Sequence, residues 1–400
     1  MHRFLPLLTL CAALYGCAST PIIAQRPAPP PAEPQVVQPE QPAPEIPEAE
    51  TAPLSQYGIP PAGGMLPGSG KAQNATGDIA LILPLQSQSF AAAARAVHDG
   101  FVAAHSLPGK RRNLPVVIYS TGDQVADILA AYEQAVQAGS SIVVGPLTRD
   151  GVTALATSNA VSVPTLALNI PERDIPIPDN LYLFGLQVEA EARQIARLAI
   201  EQGKRTALTV RGETPLSRRI HLAFLAEWNK LGGKVFNQFP YSTDPQVLAR
   251  LRAAATSGNA DMVFIALESQ KARVVRPYLD IEVPVYATSQ VFNGGADSLA
   301  NFDLNGVRFV DMPWLLQADH PAVMVYPRPQ GASSIDLERL YALGVDAFRI
   351  AQYLAQPDSG SPTIDGVTGR ITLEANHQFV RELSQAQFDQ GNALVIDPKQ

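Results

Sequence analysis

The stretch "SSIVVGPLTRDGV", residues 140–152, gathers groups that could hold a ligand at one point of the chain. It reads as the end of a buried strand, a tight Gly145-Pro146 turn and the first turn of a helix, with Thr148, Arg149 and Asp150 in succession. Helix N-termini offer free amide donors, and open parallel sheets bind ligands beyond the carboxyl ends of their strands. A second such place follows "PTLAL", where Leu168 and Asn169 end a strand, and a third follows "VPVYAT", which brings in Ser289 and Gln290. Thr148 is suited to cap its helix and Asp150 to complement the dipole. Two roles stand open for Arg149. It faces a cleft and pairs with an anionic ligand through its planar fork, or it meets an Asp or Glu of an opposing lobe and pins the cleft shut while Gly145-Pro146 only shapes the turn.

Catalytic arrangements find little support. None of the seven lysines has a serine three residues before it, and neither a Gly-x-Ser-x-Gly elbow nor a His-Glu-x-x-His helix occurs. The six histidines are scattered; His98 and His105 share a helix, but two turns separate them, too far for a compact metal pair. "PGSGKA" (67–72) resembles part of a phosphate loop, yet Met65 stands where its first glycine belongs and Ala72 follows the lysine instead of Ser or Thr. A carboxylate pair assembled only in three dimensions would leave no sequence mark. The expectation is a protein that is not an enzyme and carries no cofactor or metal.

The elements that must position these residues follow from periodicity. "IALILPL" (79–85), "PVVIY" (115–119), "SIVVGP" (141–146) and "PTLAL" (164–168) are nearly continuous apolar runs, as parallel strands buried on both faces require. Phe90, Ala94, Val97 and Phe101 repeat at helical spacing between the first two, and Val125, Ile128, Leu129, Tyr132 and Val136 between the next two. The series restarts with "TALTV" (206–210), "KVFNQFPY" (234–241), "DMVFIAL" (261–267) and "VPVYATS" (283–289). Thr214-Pro215 and Asp244-Pro245 start helices, and Gly232-Gly233 and Gly258 end them. A helix from about 336 to 355 follows the second series but reads like one belonging to the first. The expected fold is α/β, with two doubly wound parallel-sheet lobes and several crossovers. Residues 76–188 with 318–362 form lobe 1, and 189–317 with 363–400 form lobe 2.

Ahead of this body, "FLPLLTLCAALYG" is too short to span a bilayer and fits the apolar core of a secretory signal. It ends at Leu14-Tyr15-Gly16-Cys17, which resembles the lipobox of bacterial lipoproteins, although Tyr15 is larger than that pattern usually has. Cleavage after residue 16 would remove Cys11 and leave Cys17 to carry lipid. Ala18 in place of aspartate then implies, by the same resemblance, the outer membrane and a periplasm-facing body. Residues 17–75 form the anchor and a disordered tether, since 13 of the 41 residues from Pro27 to Pro67 are proline and five are glutamate. The formal net charge of −7 makes nucleic acid a poor partner, and Lys110-Arg111-Arg112 and Arg218-Arg219 read as solvated surface.

Several stretches also carry a family resemblance. The helix "DLERLYALGVDAFRIAQYL" and the closing "GVTGRITLEANHQFVRELSQAQF" look like the type I periplasmic binding fold. More narrowly, "VVGPLTRDGVTAL", "PVYATSQVFNG" and "RLYALGVDAFRIA", together with the lipobox, resemble the LppC/LpoA family of penicillin-binding protein activators over roughly residues 76–398. That resemblance implies an outer-membrane lipoprotein that binds and stimulates an inner-membrane class A penicillin-binding protein. Longer members carry a helical repeat domain; here the proline-rich tether takes its place, and the role of that domain is not transferred. Amino-acid binders of the same fold have a small hydroxyl residue where Leu168 stands, which favours the pinning role for Arg149. The alternative is a lipid-anchored receptor for a small polar or anionic solute.

Overall fold

The structure, a computed structural model, describes residues 77–108, 114–294, 298–329, 334–355 and 363–396. The expected signal, Cys17 and the expected tether lie outside the described residues. Eight elements build the first lobe: β1 (Ile79–Leu83), α1 (Ala91–His105), β2 (Val116–Ser120), α2 (Val125–Gln137), β3 (Ile142–Val144), α3 (Arg149–Thr157), β4 (Thr165–Ala167) and β5 (Leu181–Leu183). The strands pair in the order β2-β1-β3-β4-β5, all parallel. Every residue of β1 is buried, which is why its sequence shows no alternation. One face packs on α1 and the other on α2 and α3.

The chain then crosses through α4 (Val188–Glu201) into β6 (Thr206–Arg211), α5 (Pro215–Lys230), β7 (Lys234–Pro240), α6 (Pro245–Ala255), β8 (Met262–Ala266), α7 (Ser269–Val275) and β9 (Val285–Ala287). It continues through α8 (Ser298–Asn301), β10 (Val307–Asp311) and α9 (Pro313–Leu316). The anticipated cap signals act at two of these starts: Thr214 accepts from Ser217 N and Asp244 from Gln246 N, each before a proline.

The long helix α10 (Ile335–Ala355) returns to the first lobe, where Phe348 meets Phe101 edge-on at 5.3 Å. Two glycines let it come that close. A Cβ on Gly100 would lie 1.9 Å from the Tyr341 carbonyl oxygen, and one on Gly344 would lie 2.0 Å from that of Val97, so α1 and α10 cross backbone to backbone.

After α10 come β11 (Thr363–Gly366), β12 (Gly369–Leu373), β13 (Phe379–Glu382), β14 (Ser384–Asp389) and β15 (Asn392–Val395). The second sheet has seven strands in the order β15-β14-β10-β9-β8-β6-β7; β14 runs antiparallel to β10, and β15 antiparallel to β14. The expectation that 363–400 joins this lobe as a whole needs correction. Only β14 and β15 enter its sheet, whereas β11, β12 and β13 form a separate antiparallel sheet. One isolated parallel bridge, Leu183 with Gln378, links the residue just before β13 to β5 of the first lobe.

Candidate functional site at the strand ends

The Gly145-Pro146 turn sits where expected, at the carboxyl end of β3, and its peptide bond is cis. Gly145 has φ +112°, and a Cβ there would lie 2.2 Å from the Ile82 carbonyl oxygen, so glycine is required twice over. The polar groups of the turn are engaged within their own lobe. Gly145 N donates to Leu166 O, Leu168 N to Pro146 O, and Asn169 Nδ2 to Leu147 O at 3.0 Å. Asp150 turns its carboxylate onto the neighbouring Gly151 N–H at 2.8 Å, so a donor at the start of α3 is already occupied.

Two expectations fail here. Thr148 occupies the cap position with extended backbone, but its side chain makes no cap hydrogen bond. Arg149 forms no ion pair with a described carboxylate; its Nη2 donates to the Pro171 carbonyl at 2.8 Å, back into the connection between β4 and β5. That bond turns the guanidinium toward its own lobe.

Ser289 and Gln290 stand apart from this group, in a single helical turn after β9. Ser289 is buried: its N–H donates to Glu191 Oε2 at 3.0 Å and its carbonyl accepts from Arg339 Nη2 at 3.1 Å. Gln290 borders a water-sized hollow of about 30 Å³ with Thr214, Ser217, Glu268 and Lys271. The first-lobe residues therefore come together around one turn, and Ser289 and Gln290 do not join them.

The residue that ties the lobes is Arg339. It belongs to α10, packed on the first lobe, yet its guanidinium reaches into the strand ends of the second. Nη2 donates to Asp311 Oδ2 at 2.7 Å and to the carbonyls of Ser289 and Phe292 at 3.1 Å, and Nη1 donates to Asp336 at 2.9 Å. Arg339 is 7% exposed and Asp311 1% exposed. Burial works against the charge on Arg339, but Asp311, Glu191 and Asp336 together hold its pKa above the ordinary value. Burial also pushes the Glu191 carboxyl up, with a further push from Asp311, against the pull of Arg381 and of the Ser289 hydroxyl and amide. The pinning expected of Arg149 is thus made from a different helix.

A second buried carboxylate on α10 ties down the β11–β12 turn. Asp346 accepts from Val367 N at 3.1 Å, from Thr368 N at 2.7 Å and from the Thr368 hydroxyl at 2.7 Å, while Arg349 pairs with it at 3.2 Å. Trp314 N donates to Val367 O, and Arg381 Nη1 reaches Thr368 O at 3.3 Å. The quoted stretches "GVDAFRIA" and "GVTGR" are therefore partners in one contact.

Sequence reasoning passed over Arg339 and Asp346, although a signal was present. They lie seven residues apart on a face that also carries Leu343 and Ile350, and a charge inside an apolar stripe must be paired. Among the described residues no group of three or more His, Cys, Asp or Glu side chains is placed to hold a metal. His221 is buried against Thr209 Oγ1 at 2.9 Å, and burial, with Arg211 nearby, lowers its pKa to about 4.

Comparison with known proteins agrees with this architecture. Among solved structures, one described as a putative branched-chain amino acid ABC transporter from Chromobacterium violaceum ATCC 12472 is 39% identical, with a TM-score of 0.67 over 78% of this chain and 100% of that one. The C-domain of LpoA (YraM) from Haemophilus influenzae, described as a regulator of PBP1A, superposes with a TM-score of 0.67 over 80% of this chain and 100% of that one; at 22% identity it speaks for the fold alone. The penicillin-binding protein activator LpoA of Edwardsiella piscicida is 31% identical over 325 residues, 70% of this chain and 46% of the relative. The chain spans about half the length of the curated relatives it matches. The family model described as LppC putative lipoprotein matches residues 71–391, and with that match the chain belongs to the LppC family.

Proposed function

We propose that this chain is a non-catalytic, periplasm-facing lipoprotein, anchored through Cys17 to the outer membrane and held on a proline-rich tether, which binds and activates an inner-membrane class A penicillin-binding protein. In this reading residues 76–188 with 318–362, and 189–317 with 363–400, are its two lobes, apart from the small β11–β13 sheet. The observation that carries the reading is the buried Arg339–Asp311 pair. It fastens the strand ends of one lobe to a helix of the other through a buried charge pair, as suits a body that docks as a unit. Membership of the LppC family and relatives named as penicillin-binding protein activators point the same way.

An activator must bind the competent conformation of its enzyme more tightly than the idle one, because equal affinity shifts nothing. The tether would raise the local concentration of the body near the enzyme. Pulldown with purified class A synthases and a transpeptidation assay with and without the protein test this directly. Binding together with a faster transpeptidation rate is expected; no binding and an unchanged rate would remove the proposal.

A second reading is favoured by the 39% identity to a structure described as an ABC transporter. Here the chain is a lipid-anchored receptor that closes its lobes around a small polar or anionic solute. It requires a metabolite that both raises the melting temperature and changes the distance between the lobes.

A further inference from the structure

A cavity of about 640 Å³ opens beside β5, between the 170–179 connection and the turn that leads into β13. Its size lies within the range of about 300–1,000 Å³ typical of sites for small ligands. Both walls are fixed by hydrogen bonds. On one side, Arg149 donates to Pro171 O, Glu172 N donates to the Thr153 hydroxyl at 2.9 Å, and that hydroxyl donates to Arg149 O at 2.8 Å. On the other, His377 N donates to Glu374 O, Leu183 N donates to His377 O, and the His377 ring stacks on Tyr182 at 5.3 Å.

The lining is divided by chemistry. Ile170, Ile175, Ile177 and Leu183 supply the apolar part of the lining. Arg149 and Arg173 supply positive charge, and Glu172, Asp174 and Asp179 supply negative charge. None of these five charged side chains forms an ion pair with another described residue. Arg149 is half-buried, and a guanidinium has donors to offer beyond the one held by Pro171. A lining that carries both signs of charge together with aliphatic side chains complements a guest that has both signs and an aliphatic middle.

We propose that this cavity binds a short peptide with free ends. Its terminal carboxylate lies on Arg149, its ammonium lies among Glu172, Asp174 and Asp179, and its aliphatic side chains rest on the isoleucines of the lining. The site lies to one side of the Arg339–Asp311 contact. It requires neither a synthase nor lobe closure, so it stands or falls apart from both readings above.

Isothermal titration of the full chain with Leu-Leu, Ala-Leu-Ala and Ala-Leu-Ala-Leu tests it, alongside the same peptides N-acetylated or C-amidated. Blocking the peptide leaves the fold untouched, so these arms stay informative even if a variant folds poorly. At least one free peptide is expected to bind, and amidation or Arg149→Gln to weaken it about tenfold or more, which is about 1.4 kcal/mol. The amidated peptide should be indifferent to Arg149→Gln, and the exposed pair Asp174→Asn with Asp179→Asn should weaken the free peptide but not the acetylated one. No binding at about 10 mM of any free peptide, a Kd unconvincing even for weak association, would overturn the proposal. So would equal affinity for free and blocked peptides, or binding unchanged by Arg149→Gln.

Discussion

A guanidinium with almost no contact with solvent must have its donors engaged, because a buried charge left without its partner loses several kcal/mol of stability. Arg339 meets that condition with one carboxylate and two carbonyls of the second lobe and one carboxylate of its own helix. Arg339→Ala should therefore lower the unfolding free energy by about 3–5 kcal/mol in a denaturant titration, since Asp311 then stays buried and uncompensated. Arg339→Met combined with Asp311→Leu should recover most of that loss, because both charges leave together. His221 gives a test by pH. Its folded pKa of about 4 lies below the ordinary 6.5, so between those values the unfolded chain takes up a proton that the native one refuses. Stability should fall by on the order of 3 kcal/mol as pH drops from 6.5 to 4, and His221→Gln should flatten that part of the profile.

The contact between α1 and α10 rests on the absence of two side chains. A methyl group at Gly100 or Gly344 meets a main-chain carbonyl, which cannot rotate away as a flexible side chain could. Gly100→Ala and Gly344→Ala should each cost about 1–3 kcal/mol or more and lower Tm, because the helices must separate and with them the root of Arg339. Helix starts give a paired comparison. Thr214→Ala removes a cap hydrogen bond and should cost about 1 kcal/mol. Thr148→Ala removes none and should stay within about 0.5 kcal/mol of wild type. Both are read from chemical denaturation.

Across the whole molecule, the buried pair joins two lobes that the chain passes between more than once. Spin labels at Glu133→Cys on α2 and Arg252→Cys on α6, both exposed, report the distance between the lobes once Cys11 and Cys17 are replaced by alanine. A single narrow distribution is expected without any ligand, and Arg339→Ala should broaden it or lengthen its mean. A broad distribution in the otherwise unmodified protein would show that the pair does not hold the lobes. It would also remove the main support for a body that docks as a unit. Narrow spacing combined with stimulation of a synthase would join the two halves of the proposal.

The sequence by itself determined the parts that depend on near neighbours. Continuous apolar runs marked strands such as β1 and β8 because parallel strands buried on both faces leave no room for alternation, whereas β7, at the sheet edge, is mostly exposed. Thr214 and Asp244 marked helix starts because a cap bonds within two or three residues. Helical periodicity marked α10. β5 and β10 escaped, being short or interrupted by charge in "LYL" and "VRFVD". The candidate site was legible only on one side: the turn at Gly145 was found, but the direction of Arg149 was set by Pro171, a residue of a loop without periodicity. Only the tertiary structure decided which arginine spans the lobes. Glu191, Ser289, Asp311 and Arg339 come from four separate elements, and a charge acquires a buried partner only when folding brings distant segments into one place that water does not reach.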